Sequence, residues 1–179
     1  MIKVLNKFDM VDLFLEINED GISPINNGFE VSLKNFDGNY RYGADSFRKI
    51  KSVYEDAENQ LLDIFKSICD FVKMKNFYVG FYQETIYAKK ANKLYLKLNN
   101  GKHLYTDEYR YIKNVLRDSF KGKIFSYILL EDKYLIIATD HMDISVTNNG
   151  NADEINSLRK LLSAKFDNIN ILDWNYDNT

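Results

Sequence analysis

Phe47, Ile50, Tyr54, Ala57, Leu61, Ile64, Ile68 and Phe71 recur at alternating spacings of three and four residues. Seven unbroken steps of that kind put every one of these side chains on one stripe of an α-helix. Val53, Phe65 and Val72 widen the stripe, as a helix lying on a sheet requires. Asp45 or Ser46 can accept from the free N–H groups at its start, and Lys73, Lys75 and Asn76 suit the negative pole at its end. The pattern predicts a helix over about residues 45–75, roughly 45 Å long at ~1.5 Å per residue. An element of that length spans a small domain, and the remaining segments have to be arranged against it.

Those segments read mostly as strands. Val11, Leu13, Leu15 and Ile17 alternate with polar or outward positions, as do Phe29, Val31 and Leu33. With a turn-rich stretch between them (Glu19 to Gly28), the two runs predict an N-terminal hairpin with a long loop. Phe77–Tyr82, Thr85–Lys89 and Lys93–Leu98 follow as strands, and Asn99-Asn100-Gly101 predicts a turn that pairs Lys102–Tyr105 back. Thr106 is placed to cap a helix carrying Tyr109, Ile112, Val115, Leu116 and Phe120, which Gly122 ends. Lys123–Leu130 and Tyr134–Thr139 are apolar on both faces, so they belong in the middle of a sheet covered on each side. Met142, Ile144 and Val146 predict a third strand with one wet face. Asn151 with Glu154 opens a last helix bearing Ile155, Leu158, Leu161, Leu162 and Phe166, and Ile169–Leu172 ends the pattern as a short strand. The expected fold is α+β: a single mostly antiparallel sheet with three helices in one domain over residues 1–179.

Composition narrows the function classes. The 179 residues are 45% hydrophobic and 28% charged, values of an ordinary folded protein. No stretch approaches the ~18 apolar residues of a membrane span, and the opening MIKVLNKFDMVD does not read as a signal peptide. The expectation is a cytoplasmic protein with no membrane role. One Cys excludes a disulfide framework and a thiolate-rich metal site. Lys over Arg, abundant Asn and scarce Pro follow AT-rich codons, a hint of a bacterial or phage accessory gene. Aromatic residues reach 15%, mostly Tyr and Phe, and Tyr favours recognition surfaces. Charge is uneven: residues 1–60 carry −4, 61–125 carry +7 and 126–179 carry −5. Such blocks can steer a charged partner.

Candidate chemistry is sparse. His141 and Asp143, if on one strand, share a face and could pair as base and orienter in a hydrolase; the alternative is a turn, where Asp140 accepts local backbone bonds. Cys69 lies beside the helix stripe and reads as a buried core residue. The glycines form no phosphate cradle, no serine sits in a nucleophile elbow, and no metal or cofactor is expected. Two surfaces stand out instead. Residues 87–111 interleave Tyr87, Lys89, Lys90, Lys93, Tyr95 and Lys97 with further basic and aromatic groups, a pattern that suits nucleic acid, an acidic protein or a solubilised sheet edge. The acidic third offers Asp132, Asp140, Asp143 and Asp173 around Trp174 and Tyr176, a pattern that suits either imitation of phosphate charge toward a basic partner or an ordinary solvated acidic surface. The ranking is a non-catalytic antagonist of another protein (an immunity protein for a toxin, or a phage-type inhibitor of a defence enzyme such as a nuclease), then a nucleic-acid-binding accessory protein, then a hydrolase. A homodimer through the long helix is compatible with any of them.

Overall fold

The computed structural model describes residues 3–6, 15–18, 21–24, 28–36, 47–81, 102–130, 133–149 and 151–173. The long stripe forms a helix, α1 (Phe47–Val72), of 26 residues or about 39 Å. Tyr54, Ala57, Leu61, Ile64, Phe65 and Ile68 are buried along it, whereas Val53, expected to widen the buried stripe, is 47% exposed. The helix ends in a Schellman arrangement: Met74 N donates to Cys69 O (3.1 Å) and Lys73 N to Asp70 O (3.3 Å), with Lys73 at φ +59°. The N-cap predicted at Asp45 or Ser46 lies outside the described residues.

The described strands form two sheets. Lys3–Asn6 (β1), Gly28–Leu33 (β4), Phe77–Phe81 (β5), Lys102–Thr106 (β6), Ser126–Leu130 (β7), Tyr134–Ala138 (β8), Asp143–Asn148 (β9) and Ile169–Asp173 (β10) make an eight-stranded sheet, while Leu15–Asn18 (β2) and Gly21–Pro24 (β3) pair only with each other. The large sheet runs β1-β6-β5-β7-β8-β9-β4-β10, every ladder antiparallel. The α+β expectation holds. The predicted N-terminal hairpin does not: β4 pairs with β9 and β10, and the segment read as a long loop supplies β3 as partner to β2. Alternation reveals that a run is a strand but carries no information about its neighbour. Here the complementary apolar faces come from the far end of the chain.

Central strands β7 and β8 are buried at every position, as their two apolar faces require. One face carries Val79, Leu104, Ile128, Ile136, Val146 and Phe29 into a core with all three helices. The other buries Tyr127, Leu129, Leu135 and Ile137. β9 departs from its expected wet face, because Asp143, Ser145 and Thr147 are buried too. In β5, Gly80 lets the Tyr127 ring cross its Cα: a Cβ there would lie 2.0 Å from Tyr127 Cζ.

Two shorter helices complete the helical layer. α2 (Tyr109–Phe120) buries Ile112, Val115, Leu116 and Phe120. Thr106 Oγ1 accepts from Glu108 N (3.0 Å), so the predicted cap residue acts two residues ahead of the N-cap position, which is Glu108. Gly122 at φ +61° closes the far end, with Gly122 N on Ser119 O and Lys123 N on Asp118 O. In α3 (Ala152–Lys165) Asn151 Oδ1 accepts from Glu154 N (3.1 Å), the predicted cap. The Glu154 carboxylate does not reach back to complete the box; it takes Lys133 Nζ and the Tyr134 hydroxyl (2.9 Å). Ile155, Leu158 and Leu162 are buried, but Leu161, expected with them, is 37% exposed.

Polar side chains fasten the helices. Tyr54 Oη donates to Phe120 O (2.6 Å) and Tyr109 Oη to Leu62 O (3.1 Å), tying α1 to α2. Between the same helices Glu58, 5% exposed, meets Arg117 Nε at 2.6 Å and Lys121 Nζ at 3.1 Å. Lys165 Nζ donates to Ser67 Oγ (2.9 Å) between α3 and α1. Arg159 reaches from α3 to Gly28 O (2.8 Å) and the Asp173 carboxylate, tying the start of β4 to the end of β10.

Candidate functional site

A groove opens where α1 passes the end of β4. Val53, Asp56, Ala57 and Gln60 follow the i, i+3, i+4, i+7 spacing of one helix face, so they line it together from α1. Opposite them stand Leu33, Asn35 and Phe36, in the turn where Phe36 N donates to Leu33 O (3.3 Å), and Asn168, just before β10. Lys34 holds that wall, its N donating to Asn168 O (3.2 Å) and its Nζ to Asp167 O (2.9 Å). Asn168 Nδ2 donates to Gln60 Oε1 (3.3 Å), tying wall to helix, and Phe36 packs edge-on against Tyr54 at 6.1 Å.

The groove encloses about 220 Å³. Buried Leu33 and Ala57 with half-buried Phe36 give it an apolar lining, exposed Val53 stands at its mouth, and Asn35, Asp56, Gln60 and Asn168 supply polar groups around it. That size falls below the ~300–1,000 Å³ of small-molecule sites and suits a single inserted side chain. Asp56 is exposed, and among the described residues no cation pairs with it; the neighbouring Glu55 takes Lys51 at 3.6 Å. An apolar centre inside a polar rim is the anatomy of an anchor site in protein recognition.

The residues singled out from sequence lie elsewhere and apart. Asp140 and His141 occupy the tip of the β8–β9 hairpin, where Met142 N donates to Thr139 O (3.3 Å) and Met142 takes φ +62°: a type I turn closed by a left-handed residue. His141 is therefore on an exposed turn, not on the strand that would align it with Asp143. Its Nε2 stands 4.0 Å from Asp140 Oδ1, both exposed. Asp143 is 7% exposed and accepts the Thr139 hydroxyl (2.7 Å). Burial raises its pKa, against the lowering effect of that hydrogen bond and of His141. Glu30, near it across β4, is also raised, first by burial and then by the Asp143 charge, with His141 opposing. Asp173 lies at the end of β10, two strands beyond the hairpin, engaged by Arg159. The acidic residues that are described thus do not form one patch.

Asp132, Trp174 and Tyr176 lie outside the described residues, as do Tyr87, Lys89, Lys90, Lys93, Tyr95 and Lys97. Of the remaining tyrosines in that ribbon, Tyr105 packs on Tyr78 at 5.1 Å and donates to Asn76 Oδ1 (2.9 Å). Tyr109 stacks on Phe65 at 6.0 Å, so both serve packing. Cys69 is buried and its thiol pushed up by burial, as a core residue's would be. Among the described residues no three His, Cys, Asp or Glu side chains are grouped to hold a metal, and no helix is long and apolar enough to cross a membrane.

Comparison with protein-family models, with curated proteins and with solved structures returned no match.

Proposed function

We propose that the chain is a non-catalytic antagonist that acts in the cytoplasm by binding another protein and neutralising it, in the manner of a toxin's immunity protein or a phage-type inhibitor of a defence enzyme such as a nuclease. The observation that carries this reading is the groove at Val53 and Asp56, an apolar depression the size of one side chain with acid and amide groups around it. Its walls are held by hydrogen bonds from Lys34 and between Asn168 and Gln60, and α1 behind it is pinned to α2 through Tyr54 and Glu58. A recognition surface that is already ordered loses little conformational freedom on binding, which is what a tight inhibitor needs. Apolar and charged side chains exposed near the groove act as complementarity, and no reacting group is required of them.

The test is co-expression of the tagged chain with the products of its neighbouring open reading frames, followed by size-exclusion chromatography. The expected result is one stoichiometric complex in which the partner's activity is lost. Val53→Glu, which places a charge on an exposed position at the groove mouth, is expected to release the partner while leaving the thermal transition of the free chain within a few degrees. A chain that elutes alone beside every neighbour, or a partner retained equally by Val53→Glu, overturns the reading.

A further inference from the structure

Resting on that reading, we propose that the groove is an arginine pocket, and that the partner inserts an arginine side chain into it. The rim carries one carboxylate, Asp56, without an ion-pair partner among the described residues. A carboxylate desolvated by an apolar occupant would lose water without compensation. The occupant therefore brings a positive charge. The amide groups of Asn35, Gln60 and Asn168 stand around the same opening, and the one hydrogen bond among them, Asn168 Nδ2 to Gln60 Oε1, leaves the side-chain Oδ1 atoms of Asn35 and Asn168 as acceptors. A guanidinium presents five N–H donors in a plane, enough to reach a carboxylate and several amide oxygens at once; an ammonium is a strongly hydrated point charge with three. Below the head group, arginine carries an apolar stem that lies well along Val53 and Ala57. The 220 Å³ of the groove holds one such side chain. Arginine is also an enriched anchor in protein interfaces, and an exposed arginine is common on proteins that handle phosphate.

The test uses the full chain labelled with nitrogen-15 and three blocked tripeptides, glycine-X-glycine, with X as arginine, lysine or citrulline. Citrulline keeps the shape of arginine and removes the charge. Arginine peptide is expected to shift the amide signals of Asn35, Val53, Asp56, Gln60 and Asn168 together, and to bind about tenfold tighter than either other peptide. Asp56→Asn is expected to weaken the arginine peptide by about tenfold, with the remaining spectrum unchanged as a check on folding. The proposal is overturned if no localised shifts appear at tens of millimolar, if citrulline or lysine matches arginine, or if Asp56→Asn leaves binding unchanged. A stoichiometric partner complex that persists undiminished in Asp56→Asn defeats the arginine assignment while leaving the antagonist reading in place; peptide shifts without any partner complex do the reverse.

Discussion

Glu58→Gln isolates the ion pair on which the α1–α2 contact turns. The carboxylate side chain is 6% exposed and is met by Arg117 Nε at 2.6 Å and Lys121 Nζ at 3.1 Å, so glutamine keeps the volume and removes only the charge. Breaking a fully buried pair costs ~3–5 kcal/mol, because the partner is left charged and dry. Here the Arg117 and Lys121 side chains are 35% and 23% exposed and can recover water, which reduces the loss. The expected destabilisation is about 2 kcal/mol, between the ~0–1 kcal/mol of an exposed pair and the ~3–5 kcal/mol of a buried one. For a chain of this length that lowers Tm by roughly 4–8 °C. Urea denaturation of Glu58→Gln, Arg117→Gln and the double variant completes the cycle, with a coupling of about 1 kcal/mol or more expected. A Glu58→Gln chain within ~0.5 kcal/mol of the parent, or a coupling near zero, would refute the claim that this pair holds the two helices in register.

Three further outcomes follow from the same structure. Lys73→Gly relieves a left-handed residue at the end of α1 and is expected to raise stability by ~0.5–1 kcal/mol, read as a Tm increase of a few degrees. Gly80→Ala drives a methyl into the Tyr127 ring and is expected to cost ~1–3 kcal/mol in urea titration, with Tyr127→Ala in the same chain costing less than the two changes summed. Asp143 and Glu30 have carboxyls raised by burial, so the folded chain holds protons that the unfolded chain has released, and stability falls as pH rises from about 4 through their folded pKa values. Asp143→Asn, which keeps an oxygen for the Thr139 hydroxyl, is expected to flatten that decline and to be the more stable chain at neutral pH; thermal scans from about pH 4 to pH 7 check it.

The features legible in the sequence were those written in local spacing. The α1 stripe, the doubly apolar β7 and β8, the Gly122 stop and the Asn151 cap all follow from periodicity or from one residue's backbone chemistry, and each is where it was expected. Pairing partners were not legible, since β4 finds β9 and β10 more than a hundred residues away and nothing in its own alternation names them. The polar face of β9 misled for a related reason: Asp143, Ser145 and Thr147 read as wet, but that face is buried in the fold, and alternation along the strand does not reveal what covers it. The groove was hidden because its residues come from three places in the chain. Val53 was visible only as an extra member of an apolar stripe and Asp56 only as one acid among many. A Val that falls beside, rather than within, a stripe already complete was the one available signal. The His141–Asp143 pairing assumed continuous strand geometry, and the left-handed Met142 is what breaks it.

The most direct measurement of the central claim places a photo-crosslinking amino acid at position 53, at the groove mouth, and at position 160, on the exposed side of α3, in the organism that encodes the chain. A single adduct of defined mass from position 53, absent from position 160, lost in Asp56→Lys and rebuilt one-to-one from the purified components is the predicted result. No adduct at 53, or the same adducts from both positions, would contradict it.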